Sequence, residues 1–110
     1  MGVIGKCSLI FFRLGSLDDY LQDLAHKVEY EGKVNYVNDL KDAINEYSKL
    51  LDQLISENCV KKEEVKELIS SAKRILSRVK NKLERGEYEG IFEGVENATV
   101  NVTVAVHLDD

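Results

Sequence analysis

Two successive hydrophobic stripes at helical spacing, lying between Val37 and Leu83, constrain this chain more than any other feature. Leu40, Ile44, Tyr47, Leu51 and Leu54 recur at intervals of four and three residues, and Val65, Leu68, Ala72, Ile75 and Val79 do the same. Each set therefore lines one side of a helix. The spacing predicts one helix from about Val34 to Asn58 and another from about Lys62 to Arg85. Asn58 can adopt the left-handed conformation that ends a helix, Gly86 closes the next one, and Val60 is placed to staple onto Val65. So short a connection leaves room only for an antiparallel return.

Charge divides along the same lines. Residues 61–85 hold nine bases against four acids, whereas residues 86–110 hold six acids and no base, in a chain whose net charge is -5. Asp39, Asp42, Glu46 and Glu57 flank the stripe of the first hairpin helix, and Lys62, Lys66, Lys73 and Lys80 flank that of the second, with Arg74, Arg78 and Arg85 on its other side. Opposed charges beside an apolar seam fix the pairing of such a hairpin. A nucleic-acid surface built on Lys66, Lys73, Arg74, Arg78 and Lys80 is the alternative use of this basic helix. It contains no Phe, Tyr or Trp for base stacking, so such binding would be led by phosphate contacts and sensitive to salt.

The chain ends read differently. From Val3 to Leu14 the apolar residues become consecutive at Leu9, Ile10, Phe11 and Phe12, the pattern of a strand covered on both faces. Gly15 and Ser16 stop that run, and Ser16 with Asp19 resembles a capping box opening a short helix at Leu17, striped by Leu17, Leu21, Leu24 and Val28 and ended by Gly32. From Thr99 to Leu108 apolar and polar positions alternate, the pattern of a half-buried strand, and a short strand fits Ile91 and Phe92. The fold class expected from this order is α+β, β-α-α-α-β(β), with the helical hairpin and a short first helix packed on a small sheet from both chain ends. So small a sheet would leave an edge inviting a second chain, so homodimerisation is expected to complete it, with Ile10, Phe11, Phe12 and Val104 at the interface.

At 110 residues, 44% of them hydrophobic and 32% charged, the chain suits one domain with one core. Its richness in Lys and Glu without Pro or Trp fits a thermophilic source. No apolar run approaches the roughly 20 residues of a membrane-spanning helix, and Leu9 to Phe12 lacks the length and cleavage site of a signal peptide. A soluble, cytoplasmic protein without membrane contact is expected. Accordingly, Cys7 and Cys59 read as two small apolar side chains instead of a disulfide. In a hyperthermophile they could be bridged, and the closed loop would then contribute about 4 kcal/mol.

Chemical motifs are scarce. His26 beside Glu29 and His107 beside Asp109 read as solvated histidines, and Gly2 to Gly5 lacks the Lys and Ser or Thr of a phosphate loop. The acids and glycines between Glu87 and Gly94 do not match a calcium-loop spacing. No metal and no cofactor are expected. The function these features favour is a non-enzymatic protein-interaction or assembly module acting through homodimerisation.

Overall fold

The structure is a computed structural model that describes residues 5–109. Four helices, α1 (Lys6–Glu29), α2 (Val37–Ser56), α3 (Glu63–Glu84) and α4 (Ile91–Leu108), follow one another, with a single 3-10 turn over Val34–Tyr36 before α2. Among the described residues there is no strand. This overturns the α+β expectation: α1 and α2, α2 and α3, α3 and α4, and α1 and α4 pack as neighbours, which closes a four-helix bundle around one core.

The short strand expected at Ile91 and Phe92 is the first turn of α4, and the two longer mistaken strands share one explanation. Ile10, Leu14, Leu21, Leu24 and Val28 are buried and fall at helical intervals, so the stripe of α1 runs straight through Gly15 and Ser16. The consecutive run hides it because helical rotation turns Ile10 inward while Leu9 and Phe12 face solvent. Ser16 and Asp19 therefore lie inside a helix and form no capping box. Val3 and Ile4, the start of the expected strand, lie outside the described residues. In α4, Ile91, Val95, Ala98, Val102 and Ala105 are buried at intervals of four and three. Val100, Val104 and Leu108 sit outside that stripe and are exposed. Of the alternating apolar set only Val102 joins the buried stripe, and Ala98 and Ala105, which the alternation passes over or counts as outward, supply the rest of it. Val and Thr favour strands only weakly, and burial against α1 and α3 outweighs the preference.

The hairpin is as expected, with small changes of detail. All five predicted α2 stripe residues are buried. In α3 the inward set is Val65, Ile69, Ala72, Leu76, Val79 and Leu83, and Leu68 and Ile75 are half-buried on its flank. Asn58 has φ of 56° and its N–H donates to Ile55 O, while Cys59 N–H donates to Leu54 O at 2.8 Å. That pair of bonds is a Schellman ending, and Gly86 ends α3 the same way through Glu87 N–H to Lys82 O.

Contacts far apart in sequence fix the up-down-up-down order. Cys7 and Cys59 form a disulfide with Cα atoms 5.5 Å apart, joining the start of α1 to the end of α2, and Lys6 pairs with Glu57 beside it at 3.4 Å. The expectation of two free thiols is thus corrected. Lys80 donates to Asn45 at 3.0 Å and Lys73 pairs with Asp52, so α2 and α3 run antiparallel.

Neither α3 nor α4 has a side-chain cap from its own N-cap residue. Acids from other elements serve instead. Glu29, at the end of α1, accepts from Gly90 N–H at 2.7 Å and Phe92 N–H at 2.8 Å, and Asp109, just past α4, accepts from Lys61 N–H at 3.0 Å and Lys62 N–H at 3.2 Å. These carboxylates satisfy free amides and face the positive ends of helix dipoles. The two backbone hydrogen bonds hold the Asp109 carboxyl below its ordinary value of 3.8, so its contribution is present above that value and is lost as the pH falls through the folded value. Glu29→Ala leaves two amides unserved and is expected to destabilise the fold by about 2 kcal/mol. Urea titration of the variant checks this, with Glu29→Gln losing less because one oxygen acceptor remains.

Candidate functional site

Where α1 and α4 lie side by side, their facing residues do not fill the space between them. A cleft of about 150 Å³ remains, lined by Phe11, Leu14, Gly15 and Asp18 of α1 and by Val102, Thr103, Val106 and His107 of α4. Phe11, Gly15, Asp18 and Gln22 recur at helical intervals and give α1 this flank. Beyond the cleft, Gln22 Nε2 donates to Thr99 Oγ1 at 3.3 Å, and the two helices are bridged there by side chains.

Asp18 is the chemically distinctive group. Its Oδ1 is buried and has no hydrogen-bond partner among the described residues, and the buried hydroxyl of Tyr47, reaching it from α2, is equally unpartnered. The two are close enough to influence one another without forming a bond of ordinary geometry. Burial raises the Asp18 carboxyl above its ordinary value of 3.8, Tyr47 opposes the rise, and the charge of Asp19 adds to it. Burial first, then the Asp18 charge, pushes the Tyr47 hydroxyl far upward, so it stays protonated.

A raised carboxyl favours folding fully below its unfolded value and loses that contribution as the pH rises through its folded value. Asp18→Asn removes the ionised form and is expected to stabilise the protein at pH 7 by about 1 kcal/mol. Thermal melts at pH 7 and at pH 4 check the sign, because the gain shrinks in acid.

The residues singled out from sequence are scattered. Ile10 is buried in the core and Phe11 lines the cleft, whereas Phe12, 74% exposed, and Val104, 44% exposed, lie on the outer surface. Val100, Val104 and Leu108 form an exposed series along α4. Of the basic set, Lys66 pairs with Glu63 at 3.6 Å, Lys73 with Asp52, and Lys80 with Asn45, while Arg74 and Arg78 have no side-chain partner among the described residues. The depression formed by Ser70, Lys73, Arg74 and Ser77 belongs to a single helix and has no opposite wall. His26 contacts Glu31 at 3.2 Å and stacks edge-on against Phe92 at the start of α4, about 22 Å of helix from His107. In the loop after α3, the Lys82 ammonium contacts Glu89 O. The described residues contain no group of three side chains placed to hold a metal ion, and none of their helices is long and apolar enough to cross a membrane.

Sequence reasoning missed Asp18 because its setting depends on Tyr47 and on α4, distant along the chain. No family model matches the sequence, and no curated protein or solved structure matches it either.

Proposed function

We propose that this chain is a non-enzymatic assembly module that pairs with a second copy of itself through the outer side of α4. The observation that carries the proposal is a stretch of α4 without charged side chains, which the Lys62 ammonium reaches only at its end, donating to Leu108 O at 2.7 Å. From Asn97 to Leu108 there is no Asp, Glu, Lys or Arg, in a chain that is otherwise about one-third charged. Val100, Val104 and Leu108 repeat along the exposed side of that run, with Phe12 exposed on the neighbouring α1. An apolar, uncharged helix face can meet its own copy across a two-fold axis without burying an unpaired charge. Two copies of a chain with net charge -5 repel elsewhere, which favours contact through the neutral strip.

Nucleic-acid binding has less support, because Lys66, Lys73 and Lys80 already face groups of their own bundle. Val104→Lys tests the proposal by placing two like charges across the axis. Sedimentation equilibrium should give at least tenfold weaker self-association than the unchanged chain, with helical content preserved. Equal association of the two proteins would exclude this face.

A further inference from the structure

Exposed apolar side chains and the α1–α4 cleft occur together. Five of the eight large hydrophobic residues exposed among the described residues, Leu9, Phe12, Val100, Val104 and Leu108, lie in the first two turns of α1 or along α4. Phe12, with Leu9 one turn before it, stands beside the cleft on α1, next to the lining residue Phe11. Val104 and Leu108 stand beside it on α4, next to the lining residues Thr103 and His107. Phe12 is the most exposed of the set and takes no part in the core of its own chain. The cleft has a matching peculiarity. Gly15 stands in the interior of a 24-residue helix, where only proline is a poorer choice. Its φ is ordinary, and a Cβ placed on it would meet no atom within 4 Å. Gly94 on α4 is the contrasting case, since a Cβ there would come within 2.6 Å of Val79 Cγ2. Close packing therefore accounts for Gly94 but not for Gly15, whose missing side chain leaves the cleft open. Asp18 does not make this a charged site, because its carboxyl is directed at the Tyr47 hydroxyl of α2 and the walls are left to Phe11, Leu14, Val102 and Val106.

We propose that Phe12 of each chain inserts into the α1–α4 cleft of a second copy. This rests on the self-pairing through α4 proposed above and adds what fixes the register of the pair. A two-fold axis sets the same patch of surface against itself, so that patch must complement itself. A projecting ring beside a hollow meets this requirement, because rotation about the axis brings each ring to the other copy's hollow. The hollow of about 150 Å³ has the volume in which a protein cavity holds a benzene ring, and its walls are apolar and partly aromatic. Gly15 keeps it open. Its α4 side belongs to the stretch without charged side chains, so nothing there repels the second copy. An aromatic ring seated in a pocket within a contact surface is the kind of anchor that carries most of the energy of association.

The test is sedimentation equilibrium of two variants, each alone and then mixed, with one carrying a fluorophore so that the mixed pair is read separately. Phe12→Ala keeps the hollow and lacks the ring. Gly15→Leu keeps the ring and fills the hollow, with room for the new side chain and a better helix former at the position. At about tenfold in association for each insertion, either variant alone loses both insertions and should pair about a hundredfold more weakly than the unchanged chain. In the mixture the ring of the Gly15→Leu chain enters the hollow of the Phe12→Ala chain. One insertion returns, and the mixed pair should form about tenfold more tightly than either variant pairs with itself. Circular dichroism should show the helical content of both variants preserved. Pairing of either variant as tight as that of the unchanged chain, or a mixed pair no tighter than its components, would overturn the insertion. Should Val104→Lys weaken pairing while Phe12→Ala and Gly15→Leu do not, the α4 face stands and the insertion falls; a monomeric unchanged chain, or pairing that none of the three changes affects, removes both.

Discussion

Replacing both Cys7 and Cys59 by serine is expected to lower stability by about 4 kcal/mol and the melting temperature by roughly 15 °C. The bridge spans 52 positions, so the unfolded chain without it regains the freedom of a long loop. Its position adds to the effect. Cys7 lies in the first turn of α1 and Cys59 completes the Schellman ending of α2, so losing the bond also loosens a helix start that, among the described residues before Ile10, is otherwise tied by the exposed Lys6–Glu57 pair. Wild type in reductant should melt with the double variant. An unchanged melting temperature in reductant would mean that the two thiols are not joined in solution.

The second large effect is expected at the α3–α4 contact. Gly94 lies on the side of α4 that meets Val79, and Ala72, Ala98 and Ala105 are buried on the same two helices. Small residues let two helices approach closely, and a side chain at Gly94 must push Val79 or separate the axes. Gly94→Val is expected to cost about 3 kcal/mol, since it adds volume where there is none and a β-branched residue to an already β-branched helix. Gly94→Ala gains helix propensity but still collides, and Val79→Ala should rescue it, because the new methyl then occupies the vacated space. Denaturant unfolding of the single and double variants checks the coupling. Simple additivity of the two changes would contradict the contact.

How much was legible depended on how many templates each segment could satisfy. The α2–α3 hairpin was readable because its stripes carry charged residues between them, which no strand pattern accommodates, and because Asn58 and Gly86 mark its ends. At the chain ends the same reading failed for lack of such residues. Leu9 to Phe12 offers no polar position to reveal rotation, and residues 99–108 alternate so regularly that a strand fits as well as a helix. The decisive signals were quieter. Ile10 to Val28 continues one stripe past Gly15, and Ala98 and Ala105, small residues easily counted as neutral, complete the inward side of α4.

Among the described residues there is no sheet edge to invite a second chain, and the proposed self-pairing is argued from the uncharged stretch of α4. The disulfide lay beyond the sequence for a different reason. Two cysteines 52 positions apart show nothing of their separation in space, and a bridge of this kind belongs to an oxidising compartment or to the interior of a hyperthermophile. Likewise, the cleft arises only when Asp18 and Gly15 are set against Val102 and His107, over 80 positions away.

The most direct measurement is the mass of the intact chain by light scattering during size exclusion, at low and high salt, with and without mixed nucleic acid. Self-pairing through a neutral face predicts twice the chain mass of 12.5 kDa, unchanged by salt and by nucleic acid. A monomer at every concentration would contradict the account, and co-elution with nucleic acid that is lost at high salt would return Arg74 and Arg78 to its centre.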